Sequence, residues 1–150
     1  MILELKVLGY VALSLLLGGI IGLEREWADK PAGLRTHMLV AGAATFLTSM
    51  GEILIANLDV PESLIRSDPV RIIEAIITGI SFLGAGTIIR HKGENEIEGL
   101  TTAASLLFAA AIGIGVAEEQ FVLAGGTVFL ILFTLRAIKY FQTRWLSNTE

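Results

Sequence analysis

The chain alternates between long apolar blocks and short polar breaks. The apolar blocks run over residues 5–23, 36–58, 72–89, 100–117 and 121–141. Each has the length of a helix that crosses a bilayer, about 17–25 residues. The pattern therefore predicts an all-α integral membrane protein: a five-helix transmembrane bundle forming one domain over residues 1–150, with no soluble C-terminal domain. Ser67-Asp68-Pro69 offers a capping side chain and a first-turn proline for the third helix. Only Glu118-Glu119-Gln120 joins the last two blocks, so these pair as an antiparallel hairpin.

Composition agrees with that pattern. The chain is 53% hydrophobic and 17% charged, with a mean hydropathy of +0.70, outside the range of an ordinary soluble domain. The first block does not read as a cleaved leader. Glu4 precedes it, Lys6 is its only basic flank, and Glu24-Arg25-Glu26 stands where a small-residue cleavage site would be. The absence of cysteine excludes disulfides, thiolate nucleophiles and cysteine metal sites, and leaves the redox compartment unread. A net charge of −4 and the lack of any basic run argue against nucleic acid as a partner.

Orientation follows from Lys and Arg. The 24–35 connector holds Arg25, Lys30 and Arg35, the 90–99 connector Arg90 and Lys92, and the C-terminal end Arg136, Lys139 and Arg144. The other side has Lys6, Arg66 and Arg71. Eight against three places the N-terminus outside and the C-terminus in the cytoplasm of a cell with this protein in its inner membrane.

Small residues mark the packed faces. Ser14, Gly18 and Gly22 recur every four residues in the first span, and Ala109, Gly113 and Ala117 in the fourth. Gly79, Gly84 and Gly86 fall within the third. Such stripes let helix backbones approach in lipid, within one chain or at the seam of a homo-oligomer. If the first helix continues past Leu23, the stripe extends to Glu26 and leaves Glu24 pointing elsewhere. A faint duplication also appears at an offset of 66: Gly18 matches Gly84, Gly33 Gly99, Leu34 Leu100, Thr36 Thr102, and Ala43-Ala44 match Ala109-Ala110. Two related helical hairpins followed by a fifth helix account for it; such repeats are frequent in transporters without proving transport.

The densest charge lies between the first two blocks, where Glu24, Arg25, Glu26, Asp29, Lys30 and Arg35 cancel formally. Beside it, Gly33-Leu-Arg-Thr36 and Gly99-Leu-Thr-Thr102 each start a helix, presenting free N–H groups and a positive dipole end. Internal capping by Thr36, Thr101 or the neighbouring carboxylates is favoured, with an anion assisted by Arg35 as the alternative. Arg35 is expected to pair with a connector carboxylate. Glu24 and Glu26 are also candidate oxygen ligands for Mg²⁺, a cofactor otherwise without a preformed cage here. His37 is expected to be hydrogen-bonded near the interface, and His91 to be solvated.

Glu74 is the notable charge within a span. A carboxylate at the bilayer centre costs about 2.5–3.5 kcal/mol, but near the rim an i,i+3 pair with Arg71 satisfies it. Thr78 and Ser81 follow on the same face. The stripe suits either a polar helix contact or a transport path. No His-Glu-x-x-His, phosphate loop or nucleophile elbow is present, so an enzyme is not expected. Gly84-Ala-Gly86 reads as helix packing.

Three blocks carry a resemblance: Gly19-Ile-Ile-Gly-Leu-Glu-Arg-Glu26 through Lys30-Pro-Ala-Gly-Leu-Arg-Thr-His-Met-Leu39, Thr78-Gly-Ile-Ser-Phe-Leu-Gly-Ala-Gly-Thr-Ile-Ile-Arg90, and Glu98-Gly-Leu-Thr-Thr-Ala-Ala104. Together they resemble the N-terminal membrane domain of the MgtC/SapB family. The resemblance implies a cytoplasmic-membrane protein connected with growth at low Mg²⁺ and survival in host cells. It further implies regulation, including of the proton-translocating ATP synthase, in place of Mg²⁺ carriage. The matching polar positions are Glu24, Arg25, Glu26, Arg35, Thr36, Arg71, Arg90, Thr101 and Thr102. The chain departs from the family pattern at Ala75, where glutamine is expected, at Leu107, often tryptophan, and in the soluble domain that many members carry after the fifth helix. The function expected is regulation of ion (Mg²⁺) homeostasis or membrane energetics through helix contacts, with a Mg²⁺ or proton transporter as the alternative.

Overall fold

In a lipid environment backbone polar groups must be satisfied within the chain, which leaves helices as the economical solution for apolar blocks of this length. The structure, a computed structural model, describes residues 2–57, 69–90 and 97–146, with side chains except those of Pro69, Ile89, Arg90 and 138–146. It contains the expected five helices: α1 (Ile2–Trp27), α2 (Leu34–Ala56), α3 (Pro69–Ala85), α4 (Leu100–Ala117) and α5 (Phe121–Leu146). By length and composition α1, α2 and α4 are each able to cross a membrane. His91 and the proposed cap residues Ser67 and Asp68 lie outside the described residues.

The bundle is built around α1, α2 and α4, which pack mutually. α3 lies against α4 and α2, and α5 against α4 and α1. Small residues explain the close centre. A Cβ on Gly18 would sit 2.5 Å from the His37 carbonyl oxygen, and one on Gly22 2.7 Å from Leu34 Cα. A Cβ on Gly113 would collide with the Ala41 carbonyl oxygen. With Ser14 and Ala109 fully buried as well, both predicted stripes lie inside the bundle, where backbone proximity rather than hydrophobic expulsion holds helices together in lipid. Two apolar clusters complete the core, one of Val40, Ala41, Ala44, Leu106, Ala109 and Ala110 with Ile76, the other of Ile21, Ile112 and Val116 with Ala124, Val128 and Ile131 of α5. Leu16, Leu39, Phe82, Val122 and Phe129 are exposed on the outside, as suits side chains that face acyl chains.

Several boundaries differ from the sequence pattern. α1 continues to Trp27, because Glu24-Arg-Glu-Trp contains good helix formers and no glycine or proline intervenes before Pro31. The helix closes with Lys30 N–H bonding the Arg25 carbonyl (3.0 Å) and Asp29 in the left-handed region at φ 54°. The polar connector is thereby reduced to 28–33. α3 ends at Ala85 instead of reaching 89. The Thr87 hydroxyl donates to the Gly84 carbonyl at 2.7 Å, and β-branched Thr87-Ile88-Ile89 disfavours further helix. Gly86 therefore lies in a turn and not within the helix. Gly79 packs against nothing, for a Cβ there would meet open space, whereas Gly84 does pack, against Ala103.

The second connector contains a short antiparallel pair that the apolar pattern did not predict, β1 (Ile89–Arg90) with β2 (Ile97–Glu98), matching Ile89 to Glu98 and Arg90 to Ile97. It closes onto α4 through Gly99, whose φ of 90° favours glycine. The Thr87 carbonyl occupies the space a side chain there would need.

Candidate functional site

Charged and polar side chains gather where α1 ends and α2 and α4 begin. Glu24 and Arg25 are both buried, at 7% and 4% exposure. Arg25 donates to a single Glu24 oxygen, from Nη2 at 2.5 Å and from Nε at 2.6 Å. Neighbours in a helix normally diverge, so the arginine folds back to neutralise the carboxylate beside it. Leaving either charge alone in this surrounding would be strongly unfavourable. Glu26 continues the Gly18–Gly22 line towards α2 and accepts the Leu34 N–H at 2.8 Å. It thereby caps α2, whose N-cap residue, Gly33, has no side chain to do so. Glu24, off that line, is nonetheless buried and sequestered with Arg25.

His37 is wholly buried and, as expected, hydrogen-bonded. Its Nδ1 lies 2.9 Å from the Gly33 carbonyl oxygen and its Nε2 2.9 Å from Ser105 Oγ. A carbonyl only accepts, so Nδ1 carries a hydrogen. Ser105 Oγ in turn lies 2.8 Å from the Thr102 carbonyl oxygen. The serine's one hydrogen has two acceptors to choose between when the imidazole is neutral. When the imidazole is charged, Nε2 donates and the serine hydrogen goes to Thr102. The same heavy-atom positions serve both protonation states. About two turns deeper, Thr45 Oγ1 lies 2.5 Å from Ser14 Oγ and donates to the Gly113 carbonyl at 2.8 Å, tying α1, α2 and α4 together.

The remaining sequence candidates are placed differently. Arg35 is exposed and has no ion pair among the described residues, so the expected pairing with a connector carboxylate is not made; Glu24 is already satisfied by Arg25. Thr36 is half-buried, while Asp29 and Thr101 are exposed. Neither Thr36 nor Thr101 is an N-cap, since glycines occupy those positions in α2 and α4. The Arg90 side chain lies outside those described. Arg71 and Glu74 are both exposed without an ion pair among the described residues, contrary to the i,i+3 expectation. Thr78 returns its hydroxyl to the Glu74 carbonyl at 2.7 Å, and with Ser81 the stripe occupies an exposed face of α3. As for Mg²⁺, Glu24 and Glu26 each have a partner already, and no group of three candidate metal ligands occurs among the described residues.

Sequence reading missed Ser105, Thr45, Thr48 and Ser49, all buried. A signal existed: His37, Ala41, Thr45 and Ser49 recur every four residues, a small-and-polar line along α2 parallel to the one recognised in α1. Beside the cluster, a pocket of about 500 Å³ lies between the 28–33 connector and the start of α4, lined among others by Asp29, Lys30, Pro31, Glu98, Thr101 and Thr102. At the opposite end Lys6 donates to Glu119 at 2.6 Å, and that ammonium holds the Glu119 carboxyl below the usual carboxylate range.

The chain is 44% identical over 120 residues to protein MgtC of Salmonella typhimurium, covering 79% of this chain and 46% of that one. It is 34% identical over 131 residues to protein SapB of Bacillus subtilis, covering 87% and 55%. A Haemophilus influenzae protein is 36% identical over 142 residues, covering 95% and 59%. The chain thus spans about half the length of the curated relatives it matches. No solved structure matches. The MgtC family model matches residues 11–144, and the chain belongs to the MgtC family.

Proposed function

We propose that this protein is a non-enzymatic, multi-pass protein of the cytoplasmic membrane that regulates ion homeostasis, Mg²⁺ included, or membrane energetics under stress, by helix contacts with copies of itself and with other membrane proteins. The N-terminus faces outward and the C-terminus the cytoplasm, following the Lys and Arg bias. The observation that carries the reading is the division of polar groups. The buried charges and most buried hydroxyls are committed to one another or to backbone, as in the Glu24–Arg25 pair and the Thr45–Gly113 contact. Glu74, Thr78 and Ser81 instead occupy an outer face of α3. Polar groups turned towards lipid are costly unless covered, so a helix of a partner is the natural cover. The ATP synthase is a candidate partner through the family resemblance.

Cysteines introduced at Thr78 and Ser81 test this in membranes. Self-crosslinks or crosslinks to another membrane protein, lost on Glu74→Ala, are expected, with no Mg²⁺ or proton flux in liposomes. Selective flux that Glu74→Ala abolishes, without crosslinks, would replace regulation by transport.

A further inference from the structure

The two helix starts at the connector end are related by the offset of 66, yet they are satisfied differently. Glu26 caps α2 at the Leu34 N–H. The residue standing 66 positions after Glu26 is Lys92, a donor where a carboxylate would be needed. The α4 N-cap is Gly99, which makes no side-chain cap. The first-turn N–H groups of Leu100, Thr101 and Thr102 have no partner within the helix, and among the described residues no side-chain hydrogen bond to them is seen, so the positive end of an 18-residue helix borders the pocket.

A second observation points the same way. Thr102 lines this pocket while only 1% exposed, and its Oγ1 is a buried polar atom without a hydrogen-bond partner. Such an atom calls for a partner from outside the chain. Lys30, on the opposite wall, and its neighbour Asp29 are both exposed, and neither has an ion pair among the described residues.

We propose that this pocket binds a singly charged phosphate group, its oxygens accepting from the first-turn N–H groups of α4 and the Thr102 hydroxyl, with Lys30 as counter-charge. Helix N-termini bind phosphate by this combination of free N–H groups and dipole. Asp29 and Glu98 also line the pocket, and their carboxylates disfavour more highly charged anions. The pocket lies at the end of the apolar spans, so the phosphate reaches it either from a phospholipid headgroup or from solution. The site is independent of whether the protein regulates or transports.

Amide NMR of the purified full chain in phosphorus-free maltoside micelles tests it. The probes are inorganic phosphate, at a pH where the monoanion prevails, and dihexanoylphosphatidylglycerol, with sodium chloride at matched ionic strength as the blank. The Leu100, Thr101 and Thr102 amides are expected to shift saturably. A response to the lipid alone identifies the headgroup as the source, and a response to inorganic phosphate identifies a soluble one. Thr102→Val, which keeps the shape and removes the orphan hydroxyl, is expected to weaken binding about tenfold without lowering the melting temperature of the ligand-free protein. Lys30→Gln, at an exposed position, is expected to weaken it about threefold and to flatten its salt dependence. The proposal is overturned if neither probe moves these amides beyond the chloride blank, or if both variants bind with unchanged affinity.

Discussion

The hairpins α1–α2 and α3–α4 share a sequence pattern but not a degree of closure. Gly18 and Gly22 bring α1 against the backbone of α2, at distances that forbid any side chain. In the second hairpin Gly84 makes the equivalent approach to Ala103, but a Cβ there would lie at 3.3 Å, tight yet short of the overlap at Gly18 and Gly22, and Gly79 faces open space. The first hairpin also satisfies three of its charges internally, with Glu24 on Arg25 and Glu26 on the start of α2, while Asp29, Lys30 and Arg35 stay exposed. The second leaves Arg71 and Glu74 exposed. The two hairpins thus differ: the first buries an ion pair and caps its own second helix, and the second keeps a polar face on the surface.

That contrast is most severely tested by removing one partner of the buried pair. Arg25→Met leaves the Glu24 carboxylate buried alone and should cost about 3–5 kcal/mol. Adding Glu24→Gln should recover much of the loss, as followed by thermal unfolding in detergent. Arg71→Ala in the other hairpin should stay within about 0.5 kcal/mol. If the two arginines proved equally costly, the contrast would fail. Next in size is backbone proximity. Gly18→Val and Gly113→Val should each cost about 1–3 kcal/mol or more through overpacking, whereas Gly79→Ala should be neutral or slightly stabilising. Ser105→Ala deprives buried His37 of its Nε2 partner and should cost about 1–3 kcal/mol.

The smallest effect expected is at the opposite end. Glu119 has a depressed folded pKa, so the stability from its contact with Lys6 is fully present above the ordinary glutamate value of 4.5 and is lost as pH falls through the depressed value. The difference in melting temperature between the native chain and Glu119→Gln should therefore vanish on acidification.

Much of this was legible in the chain. Apolar block length gave five helices, and spacing by four gave the packed faces of α1 and α4. The helix ends were less legible, because they depend on local competition: Glu24-Arg-Glu-Trp extends α1 through good helix formers, and Thr87-Ile88-Ile89 stops α3 through β-branching and a hydroxyl turned back on the helix. Side-chain pairing was least legible. Six charges that cancel formally do not say which two are buried together. Arg35 looked as good a partner as Arg25, until the continuation of α1 placed Arg25 inside and Arg35 on the surface. Ser105 acquires its role only because α4 passes His37, a meeting across 68 positions that local pattern does not encode.

The cap supplied by Glu26 has a consequence for biogenesis. Because donor and acceptor both belong to the first hairpin, α1 and α2 complete their junction without any residue that is synthesised later. Their small-residue seam closes over the same interval. α4 makes its hydroxyl and backbone contacts, at Ser105 and Gly113, with His37 and Thr45 of that hairpin. Domains and their parts form in order of emergence when contacts are local. The N-terminal hairpin is therefore the template on which the later helices are recognised as they leave the ribosome, and the order of the chain is also the order of its assembly.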